Sequence, residues 1–316
     1  MEPTPVTETT PSVTSSNARP DSWGRISRVV LRVAASAMGL TVPLVTDRLD
    51  SISDSSALAA VVSLWVMWAA VLLGVLVPSA ISLTAVRLVA PAHLAVTGLL
   101  VIGDLIDDPT TAVVLALVPT LVFNVVAFGA EIGAWFVQAS AYGDERRVPL
   151  RPPLAFVVVQ VTAWIIWVSS LVVGVLALVR EAWTAGGVLV AIGVILTFVL
   201  PPRFHRLSRR WLVVVPAGVV LHDHVVLAET AMFDRKSVVS LDLATRSPDD
   251  ADLSGRSGGT GVAIDLVDFD TVVLAATAGR PGGSALHVKS LWIRPSRPGR
   301  AVSAWNARST TPSPRR

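Results

Sequence analysis

Four side chains able to carry charge or a strong hydrogen bond interrupt otherwise apolar stretches: Arg32, Arg87, Glu131 and Gln160. Counted at about 1.5 Å of rise per residue from one end of each stretch, all four fall about 10 Å deep. A charge in hydrocarbon costs roughly 2.5–3.5 kcal/mol, so such groups turn toward one another rather than toward lipid. The expectation is a polar layer in which Glu131 neutralises Arg87, with Arg32 and Gln160 completing it. His93 and Asn124 make a second level, about 20 Å in by the same rise. On one continuous helix Asn124 and Glu131, a heptad apart, would point along nearly the same face. A layer of this kind can line an ion or proton path or hold a polar lipid head group. It can equally be packing glue, with the arginines snorkelling to the interface.

A second group is basic. Arg203, Arg206, Arg209 and Arg210 follow the last apolar stretch, and Arg146 and Arg147 sit in an earlier loop. They are placed to contact anionic head groups, each worth about 1 kcal/mol near such a surface, and they are also a plain topology signal. His222 and His224 flank Asp223, and i and i+2 share one face of a strand, so the two imidazoles could meet a metal. A third ligand such as His205 or His287 would have to come from elsewhere, and no metal is expected. Ser257 to Gly261 is glycine-rich but lacks the Lys-Ser/Thr ending of a phosphate cradle. No nucleophile elbow, His-Glu-x-x-His or paired-carboxylate signature is present. The absence of cysteine excludes disulfides and thiolate chemistry. The sequence therefore predicts a chain without catalytic residues or cofactor.

The elements that would position these residues follow from composition. The 316 residues are 52% hydrophobic and only 16% charged, against about a quarter charged in soluble domains. Only Lys236 and Lys289 are lysines, and the arginines are clustered, which argues against a nucleic-acid-wrapping surface. Apolar runs cover Ile26 to Val45, Ala57 to Val77, Ser79 to Gly103, Thr111 to Gln138, Leu154 to Val179 and Trp183 to Leu200. About 20 residues cross a ~30 Å hydrocarbon core, so about six transmembrane helices are expected. The first run carries Arg28, Arg32 and Pro43, so it either spans or lies at the interface. With both termini cytoplasmic, the inner segments hold Arg25 and Arg28, then Arg146, Arg147 and Arg151, then Arg203 to Arg210. The outer loops hold Asp47, Arg48, Asp50 and Asp54, then Asp104, Asp107 and Asp108, then Arg180 and Glu181. That asymmetry is what the positive-inside rule requires of a bacterial inner-membrane protein.

Beyond Trp211 short β-branched runs alternate with turn residues, the pattern of a small β domain. Its core is marginal unless it leans on the membrane part. The organisation expected is a disordered tail over 1–25, a transmembrane bundle over 26–202 and a basic linker over 203–210. A cytosolic β domain over 211–294, a roll or barrel, and a disordered tail over 295–316 complete it. Trp211 to Leu221, followed by a turn and Val225 to Thr230, resembles the opening hairpins of bacterial pleckstrin-homology-like domains. The chain also resembles an uncharacterised actinobacterial multi-spanning membrane protein family. The residues that carry this are Asp144 to Pro152 and His205 to Trp211 through His222-Asp223; that resemblance implies no activity. The functional expectation is a non-enzymatic scaffold or regulator whose β domain docks a protein partner or the inner leaflet, with the bilayer and anionic head groups as further partners. The alternative is a transporter or channel-like protein using the Arg87–Glu131 layer.

Overall fold

The computed structural model describes residues 22–46, 54–107, 111–256, 258–276 and 281–309. The N-terminal tail through residue 21, the loop residues Asp47, Arg48, Asp50 and Asp108, Ser257 and residues 310–316 lie outside the described residues.

Seven helices come first: α1 (Ser22–Thr46), α2 (Asp54–Leu76), α3 (Ala80–Asp107), α4 (Thr111–Ala127), α5 (Ala130–Ala139), α6 (Leu154–Val179) and α7 (Trp183–Ser208). Five stretches, Ser22–Pro43, Ala57–Leu76, Ala80–Val101, Leu154–Val179 and Trp183–Ser208, are long and apolar enough to cross a membrane. Their outward faces are apolar too: Leu58, Val66, Ile81, Val159 and Phe198 are all exposed. A surface of that character is stable in lipid, and the protein is a membrane protein with a β-rich C-terminal part. The fourth expected span is broken. α4 and α5 meet at 67°, and the pair counts as a sixth span only if taken together. The break lies at Gly129, which is extended (φ −62, ψ 146), and its amide donates to the Val126 carbonyl at 2.9 Å. A Cβ there would lie 2.9 Å from the same carbonyl oxygen.

α6 and α7 form a hairpin held by small residues. A Cβ at Gly186 would come within 2.7 Å of Leu178, and one at Gly193 within 2.5 Å of Leu171. The two backbones therefore approach as only glycine allows, the usual device where no hydrophobic force drives helices together in lipid. The α6 residues that are fully buried are Ser170 and Gly174, and half of the helix is exposed. α7 does not stop at Leu200. It runs through Pro201 and Pro202 to Ser208, so most of the expected basic linker is the last two turns of a helix.

The β part has two four-stranded sheets. The first has the order β1 (Arg146–Pro149), β2 (Trp211–Val215), β3 (Gly218–His222) and β4 (Ala231–Asp234), all antiparallel. The second has the order β5 (Val238–Ala244), β7 (Gly261–Leu274), β8 (Ser284–Ile293) and β6 (Ala251–Asp252), the last pair parallel. The domain thus begins inside the loop between α5 and α6, with Arg147 paired to Val213 and Val148 to Leu212. Val225 to Leu227 is not a strand. The Asp223 carboxylate accepts the amides of Val225 (3.1 Å) and Val226 (3.3 Å) and closes a turn there. β7 joins two expected strands into one, with a register shift between Asp265 and Asp270 that absorbs the polar interruption.

The unbroken apolar run of β2 has a structural cause. Leu212 and Val214 face a core shared with Phe233, Ile264 and Leu291. Trp211 and Val213, on the opposite face, pack into the helical core with Leu31, Ile132 and Phe136. A strand covered on both sides reads as continuous rather than alternating hydrophobicity. At the β2–β3 turn a Cβ on Gly218 (φ +156) would sit 2.1 Å from the Phe233 carbonyl oxygen, so the position requires glycine.

The expected disordered C-terminal tail is instead folded in its described part as α8 (Pro298–Ser309). Ala301 and Trp305, four apart, enter the β core, and the Arg235 guanidinium lies over the Trp305 ring at 4.6 Å. Such a stack contributes about 0.5–1 kcal/mol at an exposed site.

Candidate functional site: a cationic cleft between bundle and β domain

The expected Glu131–Arg87 pair is absent. Glu131 accepts ion pairs from Arg297 (2.6 Å) and Arg300 (2.7 Å), at and just before the start of α8. The bend at Gly129 is the physical reason. It turns α5 off the α4 axis, so Asn124 and Glu131 no longer share a face. Arg32 is exposed, with its guanidinium 5.3 Å from the Trp135 ring centroid. Arg87 donates from Nε to the Ala127 carbonyl (3.2 Å) and lies 5.5 Å from the Phe128 ring centroid. Gly133 makes room for it, since a Cβ there would be 3.1 Å from an Arg87 terminal nitrogen. Of the four expected layer residues, Arg87 and Gln160 line one cavity, while Arg32 and Glu131 are engaged elsewhere.

His93 and Asn124 are both buried. Asn124 donates to the carbonyls of Ala90 (3.2 Å) and Thr120 (2.9 Å), which joins α4 to α3. His93 Nδ1 and the Thr97 hydroxyl are 3.4 Å apart. Asn124 thus forms a seam between α3 and α4, while the His93 contact stays within α3.

The basic group divides. Arg210 is not a head-group contact: it is 1% exposed and makes a two-pronged pair with Asp223, both bonds 2.7 Å. Arg147 is half-buried, paired with Glu145 at 2.7 Å and set over the Trp211 ring. Arg146, Arg203, Arg206 and Arg209 remain exposed. The histidine pair is in contact, with ring centroids 4.4 Å apart, and His222 also stacks on Trp211 at 5.1 Å. Among the described residues no cluster of three metal-ligating side chains occurs.

His222 carries a pH consequence. Burial first, then His224, Arg209 and Arg147, lower its pKa from 6.5 to about 4, against an opposing pull from Asp223. The unfolded chain takes up this proton before the folded one as pH falls. The stability contribution is whole above about pH 6.5 and is lost progressively toward pH 4. His222→Phe, which keeps the stack on Trp211, is expected to flatten thermal midpoint against pH in that window. Equal slopes for both proteins would contradict it.

α8 fastens the β domain to the helices. Besides Arg297 and Arg300 on Glu131, Arg308 pairs with Asp144 at 2.9 Å. Gln138 at the end of α5 donates to the Glu145 carbonyl and accepts from the Arg147 amide, both at 2.9 Å, and so fixes where β1 begins. Arg297 and Arg300 are more than a third exposed, so each pair is worth about 0–1 kcal/mol. Glu131→Gln should therefore leave the melting midpoint almost unchanged but speed amide exchange along α8. Unaltered exchange there would count against the clamp.

Between these parts lies a cleft of about 1030 Å³. Its helical walls carry Leu88, Phe128, Trp164 and Phe204, and its opposite wall comes from the β1–α6 linker and the β domain. Trp164 donates to the Leu88 carbonyl (3.0 Å), and the Thr84 hydroxyl meets His205 Nδ1 (2.9 Å), so α3, α6 and α7 are tied around it. The linker is pinned as well: the Arg151 amide donates to the Arg294 carbonyl, and its own carbonyl accepts from Arg210 Nη1, both at 2.9 Å. Arg87, Arg151, Arg256 and Arg294 line the cavity, and none has a carboxylate within 4.0 Å among the described residues. No acidic side chain lines it. Arg294 Nε and Ser296 Oγ are buried there without a hydrogen-bond partner. Sequence reasoning found Arg87 and Gln160 but missed Arg151, Arg256 and Arg294, which come from a linker, a loop and a strand end with no shared motif.

Compared with protein-family models, curated proteins and solved structures, the chain matches none of them.

Proposed function

We propose that the chain is a non-enzymatic scaffold or regulator of the bacterial inner membrane, with both termini cytoplasmic and a pleckstrin-homology-like β domain that docks a protein partner. One observation carries this reading. The first sheet is used up in contact with the helices, while the second turns an apolar surface outward. Val239, Leu243, Val267 and Phe269 are 64, 54, 48 and 70% exposed, beside a groove lined also by Leu286, Asp249, Asp250 and Asp265. Exposed apolar residues rimmed by charge mark interaction surfaces. The groove's three carboxylates outnumber the one lysine that lines it, Lys289, an excess that opposes an anionic leaflet and suits a partner presenting apolar and basic side chains. The engagement of Glu131 by α8 supports a scaffold over a transporter, because it removes the carboxylate from the intramembrane layer. The orientation rests on Arg146, Arg203, Arg206 and Arg209, all exposed on the β-domain side.

The test is crosslinking in native membranes followed by recovery of the full-length chain, wild type against Val267→Asp with Phe269→Asp. The variant should lose the partner while keeping the wild-type melt. The same partner recovered in the same yield would refute the docking surface.

A further inference from the structure

We propose that the cationic cleft binds one anionic amphiphile, a phosphate-bearing head group against the arginines and a hydrocarbon chain along the helices. This goes beyond the docking role above and does not depend on it, since the two surfaces share no residue.

The charge argument comes first. Guanidiniums from four separate elements, α3, the β1–α6 linker, the loop after β6 and the end of β8, line one cavity with no carboxylate among the lining residues. Arg87 and Arg294 are half-buried while Arg151 and Arg256 stand exposed at the rim, and gathering like charges around one space is unfavourable unless an anion is supplied. Local backbone features serve the gathering. Gly259 (φ +99) leaves room for Arg294, because a Cβ there would be 3.1 Å from an Arg294 terminal nitrogen. Arg256 adopts a left-handed conformation (φ +65) that non-glycine residues rarely adopt. Arg294 and Ser296, both lining residues, also carry buried polar atoms, Nε and Oγ, without a hydrogen-bond partner. Buried polar atoms are almost always satisfied, so two unpartnered ones on residues of this wall mark a polar network that is incomplete without a further acceptor.

The second argument is size and place. A cavity of about 1030 Å³ is much larger than an inorganic anion needs. Away from the arginines its lining is mainly apolar, with Leu88, Pro91, Phe128, Trp164 and Phe204 beside the polar Thr84, Asn124 and Gln160, and most of these residues lie on or next to helices apolar enough to cross a membrane. On the stretch of α6 that borders it, Val158, Val159, Val161 and Thr162 are exposed, while Ala163 and Trp164 pack on Leu88 and Phe204. An acyl or isoprenoid chain entering from the bilayer covers that stretch, and a soluble anion leaves it bare. Arg203 and Arg206, although exposed and basic, do not line the cavity.

The experiment uses the full chain in detergent, read by native mass spectrometry and by lipid titration. The probes are phosphatidylglycerol, phosphatidylcholine and inorganic phosphate. Wild type should retain phosphatidylglycerol over phosphatidylcholine, and millimolar phosphate should not displace it. Arg151→Gln with Arg256→Gln should weaken phosphatidylglycerol binding by about tenfold or more. Arg203→Gln with Arg206→Gln should leave it unchanged. Val161→Trp, which fills the apolar end and touches no charge, should weaken it too, and so keeps the test sound if the arginine variant folds poorly. Equal loss in the Arg203/Arg206 variant would show surface attraction only. Displacement by phosphate would show a soluble-anion site. Full binding by the Arg151/Arg256 variant would remove the site altogether.

Discussion

Asp223→Ala should unfold the β domain, or nearly so. The carboxylate it removes is fully buried, holds Arg210 by two bonds of 2.7 Å, and accepts the Val225 and Val226 amides that form the following turn. Breaking such a pair leaves a buried unpaired guanidinium, at about 3–5 kcal/mol. Whole domains are stable by only about 5–15 kcal/mol, so this one change takes a large share. The loss belongs to the orphaned charge and not to the pair as such. Arg210→Met with Asp223→Leu should therefore be milder than Asp223→Ala alone, because a buried pair replaced by apolar groups is often near neutral. Chemical denaturation followed by tryptophan fluorescence would measure both. A single mutant within about 1 kcal/mol of wild type would contradict the burial on which this rests.

The fragment 211–309, cut from its helices, should not fold. It lacks β1, so the outer edge of β2 loses its pairing partner along Trp211 to Val214. It also bares Trp211 and Val213, which the helices bury to 8% and 7% exposure, with Val215 and Val220 beside them. Each large apolar side chain returned to water forfeits about 1.5–3 kcal/mol, and the four together approach the stability of a small domain. An unpaired edge beside an apolar face also invites aggregation. Fusing residues 144–153 ahead of Trp211 would restore the edge and leave the apolar face open, so rescue should be partial. Circular dichroism and an amide spectrum are the readouts; a cooperative monomeric melt of the fragment alone would refute the prediction.

Much of this architecture is written in the sequence, and the failures have specific causes. Spans such as Leu154 to Val179 are legible because lipid demands long apolar helices of one composition. The start of the β domain at Trp211 is legible because the period changes there. β1 is not, since a four-residue strand holding Arg146, Arg147 and Pro149 has the composition of a loop, and it pairs with a partner more than sixty residues away. The expected β domain consequently started too late. α8 opens with Pro298-Gly299 in a stretch rich in Ser, Thr and Arg, yet Ala301 and Trp305 at helical spacing were a usable signal. The last apolar run ends at Leu200 in the sequence, but α7 continues through Pro201 and Pro202 to Ser208. The Glu131–Arg87 pairing failed on geometry alone. The depth count assumed a straight helix, and Gly129 permits a bend that sends the carboxylate to Arg297 and Arg300. Arg210 was indistinguishable in sequence from its exposed neighbours, because burial there depends on Asp223 arriving from the next strand.

The claim beneath these results is that the loop between α5 and α6 supplies the first strand of the β domain. The chain has no cysteine, so disulfide trapping can test it without background. Arg147→Cys with Val213→Cys places two thiols on directly opposed strand positions, within the reach of a disulfide. Mild oxidation in intact membranes should link them nearly completely, and each single variant should stay reduced. Failure of the pair to crosslink, in protein that still melts like wild type, would separate the loop from the sheet and contradict the account.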